Sequence, residues 1–583
     1  MKDKKTLKLV LEYVFHHRTS LIFLILFSLI SSVSALFIPV YVGNAIDVII
    51  GVNDVDFAIV NRSLMLIALM ALLVGISTWL TGVIGNRITF LVVRDIRKDA
   101  FDKIQKLPLS YLDTHRHGDI VSRIISDAEQ FADGLLMSFT QLFVGITTII
   151  GTFVFMIMLS VKITIAVVVL TPISLVLTSF ITKYTYSMFH EQSESRAELT
   201  SCIDEFIVNQ KVVQGFNYQE RSFEKFKDKN ERLKKASVRA IFFSSLVNPS
   251  TRVINNIVYA VVALFGAIIV IGDGVGSAMT VGGLTCFLSY AGQFAKPFNE
   301  ISGVFGELQN SLACACRLFE MIHEKEMTPD GTLIDFHPNG EVVFDNVSFS
   351  YDKSRTLIEN LNLNVHSGKK VAIVGPTGCG KTTLINLIMR FYDVDNGGII
   401  IDGNNVLDLT RVALRSGIGM VLQDTWIKYG TVRENIALGN LNAPFDEIVA
   451  AAKSAHAHNF IKRLPKGYDT VISNESGDLS LGQRQLLCIS RIMLVNPGIL
   501  ILDEATSSID TRTEIKIQDA FSKLMKNKTS FIVAHRLSTI KEADLILVMR
   551  DGKVIEQGSH KELLHKNGFY SELYNSQIPY SEV

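Results

Sequence analysis

Apolar residues run through the first half of the chain in stretches longer than a water-soluble helix needs. Crossing ~30 Å of hydrocarbon at ~1.5 Å per residue takes about 20 residues. Six stretches reach or approach that length, at residues 20–41, 64–84, 135–159, 163–181, 242–271 and 281–305, the last being the most polar. Ahead of them, TLKLVLEYVFHH places Leu7, Val10, Leu11, Val14 and Phe15 at helical spacing, which predicts an amphipathic helix lying on a surface. A cleaved signal peptide is the alternative for the first run, but that run outlasts a ~7–15-residue signal core, and five others follow it.

The pattern changes over residues 327–340, MTPDGTLIDFHPNG, where hydropathy collapses and Pro, Gly and Asp cluster, marking a linker. Beyond it KKVAIV reads as a buried strand, GPTGCGKT as a loop and TTLINLIMRFY as a helix. GILILD is a second buried strand, ending in Asp503. The expected domains are a helical region at 1–325, a linker at 326–340 and an α/β domain at 341–583.

Composition agrees with a membrane part: 48% of the 583 residues are hydrophobic and the mean hydropathy is +0.30. Lys+Arg and Asp+Glu both total 57, so no charge excess favours nucleic acid as a partner. Mapped along the chain, however, cations concentrate between the second and third runs (Arg87 to Arg123) and between the fourth and fifth (Lys211 to Arg239). By the positive-inside rule both segments, and with them both termini, are cytoplasmic. Each is long enough for membrane helices to continue into the cytoplasm. The six cysteines lack metal-site spacing and read as reduced and structural.

The candidate chemistry begins with GPTGCGKTT, residues 375–383, in the strand–loop–helix setting that a phosphate loop requires. Gly375, Pro376, Thr377, Gly378, Cys379 and Gly380 form a loop whose backbone N–H groups can curl around phosphate oxygens. Lys381 supplies a charge to the outer phosphates, while Thr382 and Thr383 open the helix, with the Thr382 hydroxyl able to ligate Mg²⁺. Asp503 is placed for a second Mg²⁺ contact, and Glu504 to take a proton from an attacking water. In the fifth run Asn248, Arg252, Asn255 and Asn256 share one helical face, a candidate lining for a water-filled cavity.

These residues resemble, over nearly the whole chain, an ATP-binding cassette (ABC) exporter half-transporter: an α-helical six-span transmembrane domain fused to an α/β P-loop nucleotide-binding domain. The resemblance rests on Tyr351, the phosphate loop, Gln423 in VLQDTW, the signature LSLGQ, LDEATSSID and His535 in IVAHRLS, in the family's order. It implies that Tyr351 stacks on adenine, Gln423 touches Mg²⁺ and water, and His535 holds the γ-phosphate beside the catalytic Glu504. It also implies that Leu479, Ser480, Leu481, Gly482 and Gln483 close over ATP held by a second subunit, that Asp510 crosses to that subunit, and that stretches near YLDTHRHGD and NQKVVQGFNYQ press on nucleotide domains.

ATP and Mg²⁺ are therefore the expected cofactors, a second half-transporter the expected partner, and a multi-pass position in a bacterial cell membrane the expected location. Transport would be export of small amphipathic compounds, such as drugs, lipids or peptides, by alternating access. The readings that compete with it are an exporter-shaped importer of a metal chelate and an ATP-gated channel or regulatory protein. One departure matters: Leu481 stands where the family signature usually has Gly, and ISNESGDLS replaces the commoner preceding loop. With Lys381, Asp503, Glu504 and His535 intact, this favours one subunit of a heterodimer over a homodimer.

Overall fold

A computed structural model describes residues 2–49, 55–272, 280–353, 356–422, 425–473, 479–503, 509–533 and 540–577. The chain divides into two compact units, one of residues 1–105 and 116–324, the other of 106–115 and 325–583.

The first unit is helical. α1 (Lys2–His16) precedes α2 (Arg18–Ile49) and α3 (Phe57–Ile104). At ~1.5 Å per residue the 48 residues of α3 extend about 72 Å, far more than a bilayer needs. After α4 (Leu109–Thr114), which belongs to the second unit, come α5 (His117–Ser122), α6 (Ala128–Met137) and α7 (Phe143–Leu159). They form one path, joined by π-helical turns at Arg123–Asp127 and Ser138–Leu142. α8 (Val161–Val208), α9 (Gln210–Gly215), α10 (Gln219–Ser245), α11 (Val247–Gly272) and α12 (Val281–Ile322) complete the unit.

Among the described residues, four helical runs are long and apolar enough to cross a membrane: Arg18–Ile49, Phe57–Ile104, His117–Leu159 and Gln219–Ile271. The expected spans at 163–181 and 281–305 lie on α8 and α12, and parts of both fall on residues whose side chains are outside the described set. The fifth span is not the single helix that its hydropathy suggests: α10 gives way to α11 at Leu246. Pro249 explains the break, since it has no N–H to offer the Ser245 carbonyl and its ring crowds that oxygen, whereas in the first turn of a new helix neither defect costs anything.

α1 also departs from a single apolar stripe. Val10 and Val14 are buried in a core shared with Leu24, Ile88, Val92 and Leu318, while Leu7, Leu11 and Phe15 are exposed. Elsewhere in this unit, Arg317 on α12 grips Asp127 with Nε and Nη2 at 2.7 and 2.6 Å, holding the first π turn against α12.

The second unit carries a four-stranded antiparallel sheet from β1 (Val342–Phe349), β2 (Ile358–Val365), β4 (Asn396–Ile401) and β5 (Asn404–Asn405), in the order β2-β1-β4-β5. Its six-stranded sheet is built from β3 (Lys370–Val374), β6 (Ile418–Val421), β9 (Ile499–Asp503), β10 (Thr529–Val533), β11 (Leu545–Arg550) and β12 (Lys553–Gly558), in the order β12-β11-β3-β10-β9-β6. All but β12 run parallel, and their near-continuous burial is what a sheet covered on both faces demands. β7 (Gly430–Thr431) and β8 (Val471–Ile472) form a small ribbon. Helices α13 (Lys381–Ile388), α14 (Arg411–Ser416), α15 (Val432–Ile436), α16 (Phe445–Ser454), α17 (His458–Ile461), α18 (Leu481–Val495) and α19 (Thr511–Leu524) fill the connections.

Candidate functional site

Parallel pairing aligns the C-terminal ends of β3, β10, β9 and β6: Ile373 pairs with Val533, Val533 with Asp503, and Leu502 with Val421. Ligands bind open α/β sheets at this edge. The phosphate loop leaves β3 here and enters α13 at Lys381. Gly375 has φ +154°, and a Cβ on it would stand 2.2 Å from the Met549 carbonyl oxygen; Gly378 has φ +82° and nothing within 4 Å of its would-be Cβ. The loop thus needs glycine both for close packing beneath and for an open, left-handed crest above.

Pro376, Thr377 and Gly378 form that exposed crest. Cys379 turns inward, its thiol buried and its pKa raised by that burial, so its contribution to a ligand is its backbone. Lys381 folds back over the loop, its Nζ donating to the carbonyls of Gly375 at 2.7 Å and Pro376 at 3.0 Å. Thr382 is exposed in the first turn of α13 while Thr383 is buried beneath. A loop of N–H groups, a tethered ammonium and a helix N-terminus fit a polyphosphate. Asp503 ends β9 as a partly buried carboxylate and the Thr382 residue is exposed; both side chains offer oxygen, the donor type that Mg²⁺ takes.

Tyr351 is half exposed, and its ring is fixed from three directions. Phe349 and Tyr392 meet it edge-on, with centroids 4.9 and 5.0 Å away, and Asn386 Nδ2 donates to its hydroxyl at 3.3 Å. Asn386 lies on α13, so the helix that begins the phosphate site also positions the ring.

The helix expected through TTLINLIMRFY stops earlier, at Ile388. Arg390 adopts φ +50°, which ends it, and turns its buried guanidinium onto Asp393 Oδ1 at 3.0 Å and the carbonyls of Val406, Leu409 and Pro329 at 3.2, 3.0 and 3.2 Å. Asp393 Oδ2 accepts from Thr328 Oγ1 at 2.6 Å, and Arg411 donates to Thr328 O at 2.8 Å. Thr328 and Pro329 are therefore bound down here. Sequence reasoning passed over this MRFYD segment; a cation, two aromatics and a carboxylate directly after a phosphate-loop helix were the available signal.

The signature starts α18. Ser480 is its N-cap, with Oγ accepting from the Gln483 N–H at 3.3 Å and Gln483 Oε1 accepting from the Ser480 N–H at 2.9 Å, a reciprocal capping box. Leu479 is buried and Leu481 half-buried. Leu481 is the first helical residue and has no positive φ, so leucine is tolerated by the backbone there. Gly482 is the position that admits no side chain, because a Cβ would stand 2.5 Å from Thr513 Cγ2 and 3.1 Å from Ile509 Cγ2.

We therefore expect Gly482→Ala to lower stability by about 1–3 kcal/mol through overpacking. Adding Thr513→Ser, which deletes the obstructing methyl, should restore much of it. Thermal melts of the two variants decide the matter, and equal melting of both would contradict the contact.

Asp510 caps α19, accepting from the Thr513 N–H at 2.9 Å, and this bond holds its carboxyl below the usual range. The sequence-derived role for Asp510 is a contact with a second subunit; in the chain itself the carboxylate is engaged in this cap. Arg491, which sequence reasoning also passed over, ties α18 to the segment after Gln423, donating to Asn435 O and Oδ1, both at 2.7 Å, and to Trp426 O at 2.8 Å. Gln423, Glu504 and His535 lie outside the described residues; in sequence they follow β6, β9 and β10. On α11, Arg252 and Asn256 are exposed and Asn255 is partly buried with an unpartnered Oδ1, while the side chain of Asn248 lies outside the described set.

Residues 21–298 match the ABC transporter transmembrane region, and residues 358–507 match the ABC transporter family. The uncharacterized ABC transporter ATP-binding protein YfiC of Bacillus subtilis is 37% identical over 580 residues, covering 99% of this chain and 95% of its own. The chain belongs to the ABC transporter family. A fatty acid ABC transporter ATP-binding/permease protein of Mycobacterium tuberculosis is 39% identical over 532 residues, 90% of this chain and 84% of that protein. The fold also matches the structure of a bacterial Atm1-family ABC exporter with ATP bound, at TM-score 0.80 and 28% identity, over 97% of this chain and 99% of that one. This ABC transporter is accordingly a membrane-embedded, ATP-binding exporter half-transporter of bacterial type, whose ATP hydrolysis is coupled to transport, and such exporters work as dimers.

Proposed function

We propose that this chain is one half of a heterodimeric exporter of small amphipathic compounds, in which each phosphate loop is completed by the signature of the other subunit. The observation that carries this is that two phosphate-fitted elements stand on separate helix starts, the loop with Lys381 at α13 and the Ser480 capping box at α18. The chain has one copy of each. A triphosphate on Lys381 therefore needs Ser480 and the first N–H groups of α18 from a second subunit, where a helix N-terminus suits the γ-phosphate. The extra bulk of Leu481 at that helix start supports a partner with the commoner signature.

Within this reading Tyr351 stacks on adenine, residues 375–383 wrap the phosphates, and Gln423 and His535 hold water and γ-phosphate for Glu504. Thr382, Asp503 and Gln423 would hold Mg²⁺, which when bound neutralises charge between the outer phosphates. We assign residues 1–325 to transport, 326–340 to the linker and 341–583 to nucleotide, with termini and basic segments cytoplasmic. Arg252, Asn255 and Asn256 would face the substrate path.

The test is purification of the chain alone and with its co-purifying half-transporter. Alone, it should hydrolyse ATP at no more than about a tenth of the rate of the complex, as expected when binding groups that complete a site are missing. Stable, drug-stimulated hydrolysis by the lone chain would overturn the heterodimer.

A further inference from the structure

We propose that Tyr392 is a positioning residue that reports occupancy of the base site directly to residues 106–115, so that this segment responds to the nucleoside and not only to the phosphates. Its hydroxyl donates to the Asp113 carboxylate on α4, while its ring meets Tyr351 edge-on at 5.0 Å and Phe349 at 5.6 Å. One side chain thus stands between the ring read as the base platform and a segment that comes from between two membrane helices.

The surroundings make the link stiff. Arg390 pins one end of the tyrosine's segment through four hydrogen bonds. Asp395 pins the other, accepting from the Ser350 N–H at 2.8 Å while its own N–H donates to Ser348 O at 2.9 Å. Phe391, next to Tyr392, is covered by the Arg415 guanidinium at 5.0 Å. A displacement of the Tyr351 ring therefore has little slack to be absorbed in before it reaches Asp113. The base of the same segment is tethered as well, the Met327 N–H donating to Lys106 O at 2.9 Å. Burial and the facing Asp113 carboxylate push the Tyr392 phenol well above its ordinary pKa, so it stays a donor at any physiological pH.

By linkage, a base that orders Tyr351 must bias residues 106–115, and the bias must be mutual. The inference rests on the reading of Tyr351 as the adenine platform, and its test separates the two. Amide hydrogen exchange is measured on the full-length transporter in lipid nanodiscs, with and without Mg²⁺-AMP-PNP. In the wild type the nucleotide should slow exchange in residues 106–115. In Tyr392→Phe and in Asp113→Ala that protection should fall by about tenfold, the scale of one lost hydrogen bond to a charged group, while protection of residues 375–382 persists. Asp113→Asn, which keeps an acceptor oxygen, should retain most of it.

Full protection of 106–115 in Tyr392→Phe, or its loss together with that of 375–382, would overturn the proposal. Tyr351→Ala probes the underlying reading: weaker AMP-PNP binding supports it, and unchanged affinity removes the platform, whatever Tyr392 does.

Discussion

Glu504→Gln should reduce ATP hydrolysis and vesicle uptake by at least about 10²-fold while leaving ATP binding in place, because the amide keeps the size of the carboxylate but cannot accept a proton from water. Lys381→Met should differ in kind. The ammonium is held over the loop by two carbonyls, Gly375 at 2.7 Å and Pro376 at 3.0 Å, and removing it takes away a positive charge held at the phosphate loop. Nucleotide affinity and hydrolysis should then fall together, hydrolysis by about 10²-fold or more. Equilibrium binding of a fluorescent ATP analogue, beside phosphate release and uptake of an amphipathic dye, distinguishes the two. Undiminished transport by Glu504→Gln with ATP still bound would mean that nucleotide only gates a passage.

The second large effect is on stability. Arg390 is buried, and its four bonds join the end of the phosphate-loop helix to Asp393, to the carbonyls of Val406 and Leu409, and to Pro329 in the linker. Arg390→Ala takes a donor from each of these acceptors and leaves Asp393 with only the more distant Arg411, 3.9 Å away, a change that costs about 3–5 kcal/mol when a buried pair is broken from one side. For a unit of this size that amounts to a fall in melting temperature of roughly 10 °C. Lys should rescue only part of it, because a single ammonium cannot address four acceptors spread across a planar fork. Differential scanning of the detergent-purified protein, with limited proteolysis of the linker, measures both effects. A shift of a degree or less would show that the linker is held elsewhere.

Much of this architecture was legible one residue at a time. Long apolar runs announce membrane helices because lipid imposes one demand over ~30 Å. GPTGCGKT between a strand and a helix announces a phosphate site because the chemistry is made by contiguous backbone. Ser480 and Gln483 could be read as a helix start for the same reason: the capping box is a local exchange of hydrogen bonds.

Other features were hidden by distance in sequence. Val10 and Val14 part company with Leu7, Leu11 and Phe15 only because neighbouring helices cover one side of α1. That Gly482 and not position 481 is the sterically closed site of the signature depends on Thr513 and Ile509, about thirty residues away in the sequence.

What the amino-acid order determined alone was the two-part organisation, the span-forming segments and the nucleotide motifs, since each depends on side chains a few positions apart. What the tertiary structure decided was which groups stand together: Tyr351 with Tyr392 and Asp113, Arg390 with the linker, and Arg491 with the segment beyond Gln423. Hydrogen bonds and ring contacts have a reach of a few ångströms, so pairs far apart along the chain meet only once the parallel sheet and its covering helices have set their places.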